Sequence, residues 1–95
     1  MTDFLKRAAD DIEKLPPGQR LEIAGYTDSS GNPARNVALS RDRAEAVRAA
    51  LIQDGVDPER LVAKGFGSAD PIASNATPGG RAKNRRIEFR VVKTR

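Results

Sequence analysis

The succession of patterns over residues 20–66 constrains the fold more than any other part of the chain. Residues 20–26 alternate apolar and polar side chains, which predicts a half-buried β-strand. A turn-forming cluster at 27–33 follows, and then a helix is predicted over roughly 34–54 and a second strand over 61–66. A strand–helix–strand unit of this kind joins neighbouring parallel strands through a right-handed crossover.

Three further elements complete the predicted fold. Residues 3–15 form an amphipathic helix ended by Pro16-Pro17-Gly18, and residues 67–80 form a loop. Thr77 and Pro78 then begin one short helical turn that reaches Asn84. A last strand runs over 86–92. We therefore expect residues 1–95 to form a single two-layer α/β domain with both long helices on one face of the sheet.

Apolar side chains recur at positions that define the expected core. In the long central helix, Gly55 is expected to terminate the helix in a left-handed conformation. The predicted core residues are Leu5, Ala8, Ile12 and Leu15 of the first helix, Leu21 and Ile23 of the first strand, Leu39, Ala44, Val47, Leu51 and Ile52 of the central helix, and Ile87, Phe89 and Val91 of the last strand.

The composition excludes several classes of function. The chain has neither Cys nor His, so the usual zinc ligands, His-based triads and the common neutral-pH general base are missing. We therefore expect no enzyme, no metal and no cofactor. No apolar run approaches the roughly 20 residues of a membrane span, and no signal peptide precedes the first helix. Membrane attachment is thus expected only through segments outside this chain.

The net charge of +4 and the pI near 10 suggest a nucleic-acid-binding module as an alternative function. Against that hypothesis, 17 basic residues are interleaved with 13 acidic ones. The aromatic residues also lie mostly at core positions and offer no stacking platform: Phe4, Tyr26, Phe66 and Phe89. We therefore expect no nucleic-acid partner.

A candidate ligand site begins at Asp28, which follows the first strand and precedes the central helix. In open α/β sheets, ligands bind at this end of the strands. Asn36, Ser40 and Arg43 are spaced by four and three residues, which places them on one side of that helix. A carboxylate pairs with an ammonium group and a guanidinium binds a carboxylate. Asp28 and Arg43 together are therefore complementary to a zwitterion.

Each of these residues also has a purely structural interpretation. Asp28 can form an Asx turn, and Asn36 can hydrogen-bond the loop backbone. Arg43 lies close in sequence to Asp42 and Glu45 and can pair with them at the surface. The Asn84-Arg85-Arg86 segment either protects a sheet edge or adds positive potential beside Asp28, and the sequence leaves both open.

The motifs resemble those of the OmpA-like domain, a peptidoglycan-binding module of bacterial envelope proteins. The matching segments are Gly25-Tyr26-Thr27-Asp28, Asn36, Leu39-Ser40-Arg41-Asp42-Arg43-Ala44, Gly65-Phe66-Gly67, Pro71-Ile72-Ala73, Asn75 and Asn84-Arg85-Arg86. The resemblance implies an α+β sandwich with a mixed sheet, located in the periplasm or on the wall side of the envelope. It also implies non-covalent binding of the diaminopimelate residue of the peptidoglycan stem peptide, which would anchor a parent protein to the cell wall.

The resemblance assigns roles to individual residues. Asp28 would bind the ammonium group of diaminopimelate and Arg43 its carboxylate. The remaining expected ligand-binding residues are Asn36 and Arg85, with Thr27, Ser29, Ser30 and Ser40 around the loop.

Two positions depart from the family pattern. Tyr26 stands where the family usually has His, which removes a pH-sensitive group. The chain also begins at the first helix, whereas the family domain opens with an outer β-strand. Without that strand, the last strand would expose its backbone edge. Either the strand lies outside this chain or a second copy covers the edge as a homodimer.

Overall fold

A computed structural model describes residues 3–93, without the side chains of residues 3–5 and 8. Its elements end within two residues of the predicted bounds, and a single turn of 3-10 helix at Pro58–Arg60 precedes the second strand. The helices and strands are α1 (Asp3–Glu13), β1 (Gln19–Tyr26), α2 (Pro33–Gln53), β2 (Leu61–Gly65), α3 (Pro78–Asn84) and β3 (Arg86–Lys93).

The three strands form one mixed sheet in the order β2-β1-β3. β1 runs parallel to β2, with Leu21 opposite Leu61, which confirms the predicted parallel pairing. β1 runs antiparallel to β3, with Ile23 opposite Phe89. The central position of β1 brings its end, and the loop that follows, between the ends of the two outer strands.

The core lies between the sheet and the two long helices. Ile12 of α1 and Leu51 of α2 join Leu21 and Ile23 of β1 in one buried cluster, so both helices cover the same face, as predicted. Complete burial of an Ile or Leu side chain contributes about 1.5–3 kcal/mol. Predicted core positions at Leu5 and Ala8 fall outside the described side chains.

Three burial predictions from the sequence are wrong. β1 is buried on both faces, and Glu22 is only 7% exposed, because Lys64 and Arg90 on the flanking strands approach its carboxylate at 3.6 and 3.8 Å. Leu39 and Val91 are 42% and 53% exposed. Leu39 lies on the flank of α2, and Val91 lies near the end of the outer strand β3.

Tyr26 is completely buried although it lies on the face of β1 turned away from the core. Its ring stacks on Phe66, with centroids 5.4 Å apart, and the Arg86 guanidinium lies 3.9 Å from the ring centroid. Arg90 donates a hydrogen bond to the Tyr26 hydroxyl. A cation held over an aromatic face is stabilising. Aromatic and arginine side chains therefore cover this face of the sheet without a second helix layer.

Two glycines in register bring α2 very close to the sheet. Gly25 of β1 is opposite Gly65 of β2. A Cβ atom on Gly25 would lie 2.9 Å from the carbonyl carbon of Ser40, and a Cβ on Gly65 would lie 2.6 Å from the carbonyl oxygen of Val37. The backbone of α2 therefore occupies the space that side chains would need.

The ends of the helices follow local capping rules. Asn32 caps α2 by accepting a hydrogen bond from the Arg35 amide, and Thr77 caps α3 as predicted. Gly55 has φ 101°, which confirms its predicted left-handed conformation after α2. Within residues 3–93, no helix combines the length and apolar character needed to cross a membrane.

We expect Gly25→Ala to lower the free energy of unfolding by about 1–3 kcal/mol, because the new methyl group would collide with helix backbone that cannot move independently. Urea denaturation measures the change. Gly79→Ala is the matched control, since nothing lies within 4 Å of a Cβ at that position. Equal stability of the two variants would show that α2 can shift away from the sheet.

Candidate functional site

Asp28 directly follows the central strand and is held by two hydrogen bonds. Its Oδ1 accepts from the Ser30 amide at 2.8 Å, which is the Asx turn considered above. Its Oδ2 lies 2.5 Å from Nη1 of Arg85. The hydrogen bonds from Ser30, followed by that from Arg85, lower the pKa of Asp28 from 3.8 to about 2. The carboxylate is therefore ionised across the whole neutral range.

The residues around Asp28 fix the start of the loop. The buried Thr27 donates through its hydroxyl to the carbonyl of Asp28 at 2.9 Å, and its amide donates to the carbonyl of Gly67 at 2.7 Å. Ser29 and Ser30 are exposed. The loop thus has a rigid base and a solvent-facing rim.

Asn36 and Ser40, predicted to lie on one side of α2, are both buried and bonded within the protein. Asn36 Nδ2 donates to the carbonyl of Ser30 at 2.8 Å and to that of Asp28 at 3.4 Å. Ser40 Oγ donates to the carbonyl of Val37 and accepts from the Gly67 amide, both at 2.9 Å. The structural interpretation of Asn36 therefore holds, and both residues position the loops that border Asp28.

Arg43, the third member of that set, is exposed. In the part of the chain that the structure describes, neither Asp42 nor Glu45 pairs with it, and its guanidinium has no other hydrogen bond or ion pair. Arg43 lies about 120° around the helix from Val37, which contacts β2. Because β1 lies between the outer strands, this rotation turns Arg43 towards the β3 side, where Arg85 also lies.

Arg85 is brought to Asp28 by the short helix α3 and the loop before it. Asn84, 1% exposed, accepts from the amides of Ile72 and Ala73 and donates to the Ala73 carbonyl and to Asn75 Oδ1. Sequence reasoning took Asn84 only as part of a basic segment and missed this clamp. An amide with four bonding sites at the junction of a loop, a helix and a strand is the signal that could have revealed it.

The described residues thus gather one carboxylate, one guanidinium bonded to it and a second guanidinium without a partner. Such a set can bind both charges of a zwitterion. Among residues 3–93, no group of three acidic side chains could hold a metal ion.

A cavity of about 400 Å³ lies at the other end of β1, far along the strand from Asp28. Its lining mixes both charges without a fixed donor pair aimed at a common point, so we place the candidate site at Asp28. The lining residues are Gly18, Gln19, Arg20, Asp57, Glu59 and Arg60.

The lowered pKa of Asp28 predicts a loss of stability in acid. A group whose pKa falls on folding stabilises the protein above its unfolded pKa, and this contribution disappears as the pH falls through the folded pKa. We expect the stability difference between wild type and Asp28→Asn to be constant above about pH 4 and to shrink towards pH 2. Urea denaturation between pH 5 and 2 measures it, with Asp42→Asn as the control for losing one carboxylate. A difference that stays constant to pH 2 would contradict the assigned hydrogen bonds.

Sequence comparison gives relatives that are longer than this chain. The peptidoglycan-binding protein ArfA of Mycobacterium tuberculosis is 47% identical over 87 residues, covering 92% of this chain and 26% of ArfA. The probable lipoprotein YiaD of Escherichia coli is 49% identical over 78 residues, covering 82% of this chain and 36% of YiaD. The chain therefore spans about a quarter to a third of the length of these curated relatives.

Solved structures of envelope proteins share the fold. The C-terminal domain of Helicobacter pylori MotB matches with a TM-score of 0.85 and 34% identity, covering 95% of this chain and 70% of that one. A sequence model of the OmpA family matches residues 2–85. The architecture, the order of the motifs and these similarities together show that the chain belongs to the OmpA family.

Proposed function

We propose that this domain binds peptidoglycan without covalent chemistry, through the diaminopimelate residue of the stem peptide, and so anchors a parent envelope protein to the cell wall on its periplasmic side. The observation that carries the proposal is the pair of opposite charges at the end of β1. Asp28 is ionised at neutral pH, and Arg43 faces solvent with no partner in the described residues. The printed function of ArfA, peptidoglycan binding, supports the same ligand.

Each candidate residue has a distinct role in this proposal. Asp28 receives the free ammonium group of diaminopimelate, and Arg43 forms a bidentate pair with its free carboxylate. The exposed loop residues Ser29 and Ser30 line the rim, where backbone N–H groups meet peptide carbonyls. Thr27, Asn36 and Ser40 are buried and hold the loop through internal hydrogen bonds.

The proposed binding is weak at a single site, because charged pairs at a partly wet surface contribute about 1 kcal/mol or less. Peptidoglycan repeats its stem peptides, so several copies of a parent protein can bind the same polymer together. Avidity of this kind raises the overall affinity without any new contact. A weak, reversible site is therefore consistent with an anchoring function.

The structure does not favour the alternative nucleic-acid-binding function. Tyr26 is completely buried, and Phe66 and Phe89 are half-buried. Binding of single-stranded nucleic acid relies on exposed aromatic faces. Many of the arginine side chains are also engaged, for example Arg86 with Glu88 and Arg90 with Glu22 and Glu88.

The site assignment predicts that two substitutions abolish one binding event. Titration of ¹⁵N-labelled protein with a diaminopimelate muropeptide should give saturable amide shifts over residues 27–43 and near Arg85. Asp28→Ala and Arg43→Ala should each weaken binding by about tenfold or more, since each leaves one ligand charge unpaired. Arg41→Ala is the matched control, because Arg41 is an exposed arginine on the β2 side of the same helix. Equal weakening by all three variants would refute the assignment.

The second carboxylate predicts selectivity among stem peptides. A lysine-type muropeptide retains the ammonium group but lacks the carboxylate that pairs with Arg43. We expect it to bind about tenfold more weakly than the diaminopimelate type in wild-type protein. The two should bind alike in Arg43→Ala. Calorimetric titration of both fragments measures the ratio, and equal affinity for wild type would show that Arg43 does not select the ligand.

A further inference from the structure

The carboxylate of Asp28 already has a counterion within the protein. Arg85 Nη1 lies 2.5 Å from Asp28 Oδ2, and the Ser30 amide occupies Oδ1. The Asp28 side chain is only 11% exposed under these contacts, whereas the Arg85 side chain is 44% exposed. An incoming ammonium group therefore meets a carboxylate that is largely covered and already neutralised, and the covering group is the more accessible partner.

Arg85 is fixed at its backbone and lightly held at its guanidinium. On one side, Asn84 is clamped to the loop over residues 72–75. On the other side, Arg86 packs on Tyr26, pairs with Glu88 and donates to the carbonyl of Asp70 at 2.8 Å. The Arg85 guanidinium has only the Asp28 contact among the described residues. The side chain can therefore swing away from Asp28 while its attachment point stays in place.

The balance of charged contacts then depends on the ligand. A bare ammonium that displaces Arg85 forms one charge-assisted hydrogen bond and breaks one, so the exchange gains little. A ligand that also brings a carboxylate gives the released Arg85 a new partner and keeps every charge paired. The difference between the two ligands therefore arises at Arg85 in addition to any contribution of Arg43.

We infer that Arg85 is a specificity residue of the Asp28 site, which acts as an internal counterion and admits an ammonium group only from a ligand that also carries a carboxylate. The inference rests on the proposed function and extends it by assigning the rejection of simple amines and polyamines to one side chain. Arg85 thus excludes the wrong ligand, whereas Arg43 attracts the right one.

Two small probes separate the contributions of the charges. Diaminopimelate carries two amino-acid ends, and pentane-1,5-diamine is the same chain with both carboxylates removed. We expect Arg85→Gln to bind the diamine about fivefold more tightly than wild type and to bind diaminopimelate no more tightly. The ratio of the two affinities should fall accordingly. Amide shifts at residues 27–30 in NMR titrations report binding of both probes at Asp28.

Arg41→Gln is the matched control, because it removes the same charge from an exposed position on the far flank of α2. It should leave the ratio of affinities unchanged. Arg85→Lys, which keeps the charge but loses the guanidinium fork, should raise the diamine affinity less than Arg85→Gln. The amide spectrum of each variant verifies that it is folded.

The outcomes distinguish this inference from the proposed function. Equal diamine affinity in Arg85→Gln and Arg41→Gln would overturn the counterion role alone. A parallel loss of both probes in Arg85→Gln would also overturn it, since Arg85 would then be a direct ligand that never leaves the site. Failure of the wild type to bind diaminopimelate muropeptide at millimolar concentration would instead overturn the proposed function.

Discussion

The close approach of α2 to the sheet at Gly25 and Gly65 determines the geometry of everything above it. With hydrogen atoms in place of side chains at this crossing, the helix backbone lies directly on the strands. Ser40 can then accept a hydrogen bond from the Gly67 amide, and Thr27 can bond the carbonyl of the same residue. The loops after β1 and β2 are thereby tied together. The candidate site stands on this base.

Neighbouring arginines in the sequence have opposite duties in the structure. Arg86 is held by Tyr26, Glu88 and two backbone carbonyls, and it covers a face of the sheet. Arg85, one residue earlier, points to the loop after β1 and contacts Asp28. The alternation of side chains at the start of β3 separates the two roles. A rigid neighbour gives the more exposed arginine a fixed point from which to act.

The sequence predicted the elements, the parallel pairing and the family motifs well, because these depend on local periodicity and turn chemistry. It predicted less about which polar groups are buried. Glu22 reads as solvent-facing from alternation alone, but its burial depends on Lys64 and Arg90, which are distant in the chain. The contact between Asp28 and Arg85 likewise joins residues 57 positions apart, and no pattern within one segment specifies it.

The position of Asp28 at the end of the central strand also has a mechanical meaning. Lys93, at the end of β3, lies opposite Gln19, so it is at the far end of the sheet from Asp28. A pull between these two ends runs along the strands and loads the hydrogen bonds of the β1–β3 ladder in shear, all at once. Strand pairs resist such sliding far better than peeling, in which the bonds break one after another. A ligand held at Asp28 is therefore attached where this fold best withstands tension.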